Sequence, residues 1–486
     1  MPQLKRERSH LIGAPSQKKY WIIAASLVSI CVGQWLLLFF GIRFEKIFGF
    51  WFWYHTSKPM GTITLNMALL IAAVLVAQVV KTRCSSWLKL SILVIFGVVT
   101  QIGFGFTEGR GMAAIEDRMV KSGHARFAID AVRIEDTSFV LHNFETLLDQ
   151  DKLNPFAKSK PPGQVLLYVA TERTADFLFP QSSAEDRFYC LVRFSSYVWS
   201  FISCLTILPL FFWVRRIWGE TCGYNAALLY LVFPAVNLIN LHTDQVFFPL
   251  LFMLCLLTAD WAARRRLPAA AIVPGVVVYS AMFFSFALAA AIPFVLWTFW
   301  VRYKNDTDPP KRLLAKMKQF ALRVTAAVAG SVTMGVAFFI GLNYRIFERF
   351  DHAMIHHGGW KSFLDIDGNQ WLLGLLNIFE FVYWAGLGVT SLLIITVVRA
   401  VVRRKRDKSD FPIQSLMVLF IIVMVYLAFC THTIGETARL WIFLLPLTAL
   451  FVAHALQTSL KGLSLTLLVC LQLLTTYCFK IFQDFY

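Results

Sequence analysis

Long apolar runs recur along almost the whole chain, and most are closed at one end by basic residues. About 20 predominantly apolar residues are needed to cross the hydrocarbon core of a bilayer. Runs of that order lie near 20–41, 62–81, 88–106, 188–213, 221–241, 245–263, 268–283, 285–301, 321–342, 372–398, 411–431, 438–457 and 462–480. The pattern predicts an all-α fold, a polytopic transmembrane helical bundle of about 13 spans. Positions 268–301 are apolar for 34 residues with basic residues at both ends, so this run is expected to divide into a tight pair of short helices near Phe284. With that division every basic cluster falls on one face: Lys81, Arg83 and Lys89; Arg215 and Arg216; Arg264–Arg266; Arg302 to Arg323; Arg399 to Lys408. An excess of Lys and Arg marks the cytoplasmic side, which places the basic N-terminus there too.

The same parity leaves 42–61, 107–187, 343–371 and 432–437 on the non-cytoplasmic face. Phe48 to Tyr54 reads FGFWFWY and predicts an aromatic belt at the membrane interface. Segment 107–187 is too long for a simple connection. It holds 13 of the 29 acidic residues together with ten Lys and Arg. Within it apolar residues recur at helical spacing, first Phe139, Leu141, Phe144, Leu147 and Leu148, then Val165, Leu166, Tyr168 and Val169. The run Gln164 to Phe179 resembles a span, but Glu172, Arg173 and Asp176 would be costly inside a bilayer. An amphipathic juxtamembrane helix lying on the surface is expected instead. The chain thus divides into a tail with three spans (1–106), a large external loop (107–187) and the remaining bundle (188–486).

Composition agrees: 57% of residues are hydrophobic, 15% are charged and the mean hydropathy is +0.61. The first run, Ile22 to Phe40, follows Lys5, Arg6, Arg8, Lys18 and Lys19 and is too long for a signal-peptide core, so a retained anchor is expected. The net charge of +17 invites a nucleic-acid partner, but the basic residues mark span ends, and none is expected. Nine cysteines are scattered without a Cys-x-x-Cys pair, which gives no disulfide framework.

Candidate chemistry collects at the ends of spans. Glu108 follows a span directly and precedes Gly109-Arg110-Gly111, where the backbone can turn sharply. Partial burial there would raise its pKa toward the range of a general base; the alternative is a residue that merely ends a helix at the interface. Asp130, Glu135 and Asp136 are further carboxylates that would equally suit a solvated helix face. In Lys160-Pro161-Pro162-Gly163 the prolines impose an extended path, which fixes the direction of the lysine and suits it to a phosphate; an ordinary helix-entry turn is the competing reading. Glu436 and Arg439 stand one turn apart in Gly435-Glu436-Thr437-Ala438-Arg439, where the arginine either pairs with Glu436 or binds an anion. Asp244 is a similar boundary carboxylate, and Arg193 lies early in the span after the acidic loop. Asp351, His352, His356 and His357 have spacing suited to a metal but lack a further carboxylate. Asp365-Ile366-Asp367-Gly368 lacks the bidentate Glu of a calcium loop.

Three stretches, AKSKPPGQVLLY at 157–168, HTDQVFF at 242–248 and GETARLWIFLLP at 435–446, together resemble the GT-C type integral-membrane glycosyltransferases. The likeness is to the dolichyl-phosphate-mannose and aminoarabinose transferase-like superfamily. It covers about residues 104 to 457 and leaves the first two spans as an N-terminal addition. The resemblance implies transfer of a hexosyl or pentosyl unit from a polyprenyl-phosphate donor to a hydroxyl on the non-cytoplasmic face, with inversion. It implies Glu108 as the base, with Asp130 in reserve. Lys160, Arg439 and Arg193 would hold the donor phosphate, supported by Pro161, Pro162, Gly163, Asp244 and Glu436. The partners would be a lipid-linked sugar donor, a glycan, lipid or protein acceptor, and membrane lipids. Nothing in the sequence demands a cofactor or metal, and participation of a divalent cation is left open. A bacterial inner membrane is favoured by the likeness alone, and an endoplasmic-reticulum enzyme would look much the same. A transporter or lipid flippase is the competing class, kept open by Glu380 inside a span; a membrane scaffold is a third.

Overall fold

The computed structural model describes residues 17–42, 53–58, 63–238, 244–304, 311–361, 370–403, 411–430 and 436–483. In chain order its helices begin with α1 (Gln17–Phe39), α2 (Ile63–Val79) and α3 (Ser86–Phe106). The loop layer follows with α4 (Met112–Val120), α5 (Ala125–Arg133), α6 (Thr137–His142), α7 (Phe144–Asp149) and α8 (Gly163–Leu178). The bundle resumes with α9 (Ala184–Leu205), α10 (Ile207–Trp218), α11 (Glu220–Leu231), α12 (Phe248–Ala263), α13 (Ile272–Phe284), α14 (Ala291–Lys304) and α15 (Lys311–Leu342). It ends with α16 (Ile346–Lys361), α17 (Gln370–Trp384), α18 (Leu387–Arg403), α19 (Phe411–Cys430), α20 (Thr437–Leu440), α21 (Leu445–Gln457) and α22 (Leu465–Phe482). The protein is an all-α polytopic helical bundle.

Local sequence sets several helix starts. Ser85, Ser183 and Ser464 cap α3, α9 and α22 by accepting from the backbone N–H groups of Leu88, Asp186 and Leu467. Pro249 and Pro446 stand in the first turns of α12 and α21, where a missing N–H costs nothing.

The crossings differ in detail from the thirteen expected. Among the described residues seven helices are long and apolar enough to cross a bilayer, one of them formed by α9 and α10 together. The run 268–301 does divide beside Phe284, because Ser285 takes an extended conformation (φ −159°, ψ 129°). The run 372–398, expected as one crossing, is two arms, α17 and α18, that meet at 114°. Gly386 at the corner has φ 88°, a conformation that L side chains avoid. The run 221–241 is not one helix either: α11 stops at Leu231, and the chain re-forms a single turn at Pro234–Leu238. The proline accounts for the break, since it has no N–H and crowds the preceding turn.

Two apolar cores result. In the larger one α11 and α21 are central, with Ala226 to Tyr230 and Leu447 to Ala453 shielded nearly all round. At the other extreme only 6% of the α15 window is buried inside the protein, as suits a helix whose partner is lipid. The smaller core belongs to the loop layer. It packs Met119, Phe127, Ala131, Leu148, Val165 and Tyr168 against Leu191, Val192 and Trp199 of α9. The segment 107–187 is therefore a layer of short amphipathic helices seated on the end of α9. The span-like run Gln164 to Phe179 is α8 with its first turn packed inward, and Glu172 is buried against Arg187.

The Lys160-Pro161-Pro162-Gly163 element is where this layer meets the bundle. Lys160 is extended (φ −132°, ψ 156°), Pro162 starts α8, and a Cβ on Gly163 would run into the carbonyl of Phe283 at the end of α13. Gly163 is thus required by close approach. Gly163→Ala is expected to lower stability by roughly 1–3 kcal/mol, the usual cost of overpacking. Thermal unfolding of the purified protein in detergent measures this, and an unchanged transition would refute the tight docking.

Candidate active site

Where α3 ends, Gly109 and Gly111 take positive φ (76° and 61°), and the chain reverses directly into α4. The reversal brings Arg118 back onto Glu108, donating to Oε1 at 2.7 Å. Lys480, near the end of α22, reaches the same oxygen at 2.8 Å, and Lys58 at 3.4 Å. Lys58 is delivered by an extended segment clasped to the end of α22. The N–H groups of Thr56 and Lys58 donate to the carbonyls of Phe482 and Ile481 at 3.1 and 3.0 Å, and His55 bridges to Gln483. Arg118 and Lys480 are 3% and 2% exposed, so these contacts are largely sheltered from water. Burial alone would raise the Glu108 carboxyl, as the sequence suggests. Lys480, Arg118 and Lys58 outweigh it and hold the group down to about 2. The expected upward shift is therefore reversed, because three cations, two of them from distant segments, share one carboxylate.

A second group gathers around His124, in the turn between α4 and α5. Arg439 on α20 lies 3.1 Å from His124 Nε2 and 2.7 Å from Glu436, so it meets the pairing partner expected for it and one more. Phe127 stacks on Tyr168 at 5.4 Å, and Tyr168 lies 3.5 Å from the other His124 nitrogen. Lys160 sits over the Phe127 ring, 4.8 Å from its centre. Lys160 and Arg439, far apart in sequence, are thus assembled about the same His124–Phe127 pair.

Glu380 ties the two groups together. Its Oε1 accepts from the Trp53 indole at 2.7 Å and from the Ala438 N–H at 3.0 Å. Trp53 lies in the same described stretch as Lys58, and Ala438 adjoins Arg439. The carboxylate that kept a transporter reading open is engaged in holding both sides of the site. Trp53 is accordingly buried and packs on Trp384 at 4.7 Å, so it is no member of an interface belt; Phe48 to Phe52 lie outside the described residues.

The other predicted residues are placed differently. Asp130 is buried and accepts from both the backbone and the side chain of Asn154, at 2.9 and 2.6 Å. Burial pushes its carboxyl above the usual range, with the Asn154 bonds opposing. Asn154 in turn caps the turn Pro155–Ser159 that leads to Lys160. Asp130 therefore acts on the position of Lys160 and does not join Glu108. Arg193 is largely exposed and pairs with Glu116 at 3.1 Å, on the flank of α4. Asp244 begins a short 3-10 turn; its side chain and the preceding residues 239–243 lie outside the described structure, as do 362–369 with Asp365 and Asp367, and Gly435. Of the four metal candidates on α16, His352 contacts Glu145 of α7 at 2.9 Å, and Arg349 binds that same carboxylate at 2.9 Å and the Lys158 carbonyl. Among the described residues no three His, Cys, Asp or Glu side chains come together as a metal site. Glu135 and Asp136 line a surface cleft of about 230 Å³ beside Asp130.

Sequence reasoning missed Lys58, Arg118, His124 and Lys480. Lys480 carried a signal, a single cation within an apolar span. Arg118 and His124 carried none, because each acquires its role only when its turn folds back.

No protein-family model and no characterised protein sequence matches the chain. Solved structures similar to it include the oligosaccharyltransferase of Archaeoglobus fulgidus in the apo form, with 12% identity, a TM-score of 0.46 and coverage of 78% of this chain and 51% of that one. The same enzyme with zinc and sulfate gives 12%, 0.41, 80% and 53%. The archaeal oligosaccharyltransferase AglB of that organism, with an inhibitory peptide and a dolichol-phosphate, gives 12%, 0.42, 77% and 50%. The chain spans about half the length of each, and likeness at this level gives no residue a role.

A carboxylate whose folded pKa is depressed adds stability above its unfolded value, about 4.3 for Glu. That contribution is lost as the pH falls toward the folded value of about 2. Thermal unfolding across this window is expected to show an acid-sensitive component in the wild type that Glu108→Gln lacks. Parallel curves for the two proteins would show that the ion pairs do not stabilise the fold.

Proposed function

We propose that this protein is a GT-C type glycosyltransferase that moves a sugar from a polyprenyl-phosphate carrier to a hydroxyl acceptor on the non-cytoplasmic face. The observation that carries this reading is the meeting of Lys160 and Arg439 about His124, in the turn that follows α4, whose Arg118 binds Glu108. An arginine fork and a lysine at a membrane rim suit a lipid-borne phosphate, the first by shape and the second as a compact charge.

In this reading Arg439 and Lys160 hold the donor phosphate. As the bond between the sugar C1 and the phosphate oxygen breaks, its electron pair stays on the phosphate, and the two cations stabilise the growing charge. The acceptor hydroxyl attacks C1 from the opposite side, which inverts the configuration, and its proton passes to Glu108. Asp130, Pro161, Pro162 and Gly163 fix the path of Lys160, and Glu436 orients Arg439. The proposal requires no metal, so transfer persists in the presence of a chelator. Charge parity supports a cytoplasmic N-terminus, and a bacterial inner membrane is the host proposed.

The bent pair α17–α18 and the buried Glu380 are features a transporter would also have. Sugar transfer separates the classes. With radiolabelled polyprenyl-phosphate donors and membranes of matched expression, Glu108→Gln is expected to reduce transfer by about 10²–10⁴-fold, the range of a lost general base. Lys160→Ala is expected to reduce it by about 10²-fold, the loss seen for one transition-state charge contact. Full activity in Glu108→Gln would remove the base from this position, and transport of the carrier without transfer would replace the enzyme reading.

A further inference from the structure

The cleft of about 230 Å³ beside Asp130 has no part in the chemistry proposed above. It forms within one stretch of the loop layer, between Asp130 and Leu153, and its lining includes neither Glu108 nor the cations about His124. Its floor is the apolar interior of that layer, where Val140, Leu147 and Leu153 are each more than nine-tenths buried. One wall is Phe139 of α6, which is 54% exposed and offers an apolar ring to whatever enters. Asp130 lines the cleft as well, and its two oxygens are treated unequally. Oδ2 takes both Asn154 hydrogen bonds, while Oδ1 accepts none from the described residues and is not cut off from solvent. Asp130 is 7% exposed, and a carboxylate oxygen held so deep is costly until a donor meets it. The rim carries both signs, with Arg133 and Lys152 set among Glu135 and Asp136, all exposed.

These features select a ligand. A lipid tail would leave the Asp130 oxygen unmet. An anion such as phosphate would find three carboxylates against two cations. A neutral sugar ring answers each feature: its hydroxyls donate to the carboxylates and accept from Arg133 and Lys152, and its C–H face lies on the aromatic ring. We propose that this cleft is a sugar-binding subsite, which takes a neutral monosaccharide unit of the acceptor other than the one that receives the transferred sugar. The proposal rests on the glycosyltransferase reading for the source of that sugar, and it narrows the acceptor to a glycan of more than one unit. The cleft is also joined to the donor side. The carboxylate that would hold the sugar already holds Asn154, which caps the turn leading to Lys160. An occupied cleft therefore braces the turn that presents Lys160.

Binding can be read without donor or transfer, so this proposal and the enzyme reading fail separately. Full-length protein in nanodiscs of phosphatidylcholine is mixed with the methyl glycosides of glucose, galactose, mannose and arabinose. Saturation-transfer NMR then reports which sugar protons touch the protein. At least one glycoside is expected to give a signal, strongest on its ring C–H protons. Phe139→Ala is expected to weaken its binding by about tenfold, the loss of one aromatic contact. Phe139→Tyr is expected to retain it, which separates a lost ring from a disturbed helix. Glu108→Gln is expected to bind the glycoside as the wild type does while losing transfer. Silence from all four glycosides would overturn the proposal, as would equal affinity in the wild type and Phe139→Ala. Loss of binding in Glu108→Gln would overturn it too, because the glycoside would then sit at the transfer site. Preference for methyl glucuronide over every neutral glycoside would show an anion site instead.

Discussion

A carboxylate at the end of an apolar helix, largely shielded from water, persists in its charged form only if cations are brought to it. At Glu108 that requirement draws the whole chain together. Its partners are separated by most of the sequence, and each belongs to a different structural unit: Lys58 to the connection between the first two helices, Arg118 to the loop layer, Lys480 to the last helix. Breaking a buried pair by removing one partner typically costs about 3–5 kcal/mol. The N-terminal helices, the loop layer and the C-terminal helix are therefore coupled at this point more strongly than by apolar contact alone, which between helices in lipid has little driving force of its own.

The two cores explain how so polar a site can be held on an apolar scaffold. The loop layer has its own interior, built on Phe127, Tyr168 and Trp199, and is seated on α9. It meets α13 where Gly163 lets two backbones touch, and α16 fixes it from another side through Arg349, Glu145 and the carbonyl of Lys158. The turn that presents Lys160 is thus bounded by Asp130 and Asn154 on one flank and by Arg349 on the other. A side chain on a free loop would sample many directions; here the direction is set by rigid neighbours, which is what fixed placement of a charge demands.

How much of this was legible in the sequence depended on whether the determinant was local. Helical membrane character and the break beside Phe284 follow from composition and charge within one segment. The bend at Gly386 and the break before Pro234 were also local, but they were hidden because hydropathy does not register backbone geometry. Lys160 and Arg439 stood out through proline and through a charge at a span boundary, and the fold sets them about the same His124–Phe127 pair. The pKa of Glu108 could not be read. Burial was visible in its position, whereas the cations that reverse its effect arrive from residues 58, 118 and 480. Asp130 shows the same limit, since its hydrogen-bond partner Asn154 lies 24 residues away.

The N-terminal helices, which looked like an addition to a complete unit, gain a different meaning from this geometry. Lys58 reaches Glu108 only because Thr56 and Lys58 pair with the backbone at the end of α22, and the Trp53 side chain is tied to Glu380 in the middle of the bundle. A segment needed only for anchoring would have no reason to be fixed at three points, each of which touches a residue that positions charge. The backbone clasp sets the depth of Lys58, the indole sets its lateral place, and Glu380 passes that placement to the turn that bears Arg439. Residues 53–58 and the end of α22 therefore help to build one wall of the polar site, and its charge balance depends on the connection between the first helices as much as on the loop that contains Glu108.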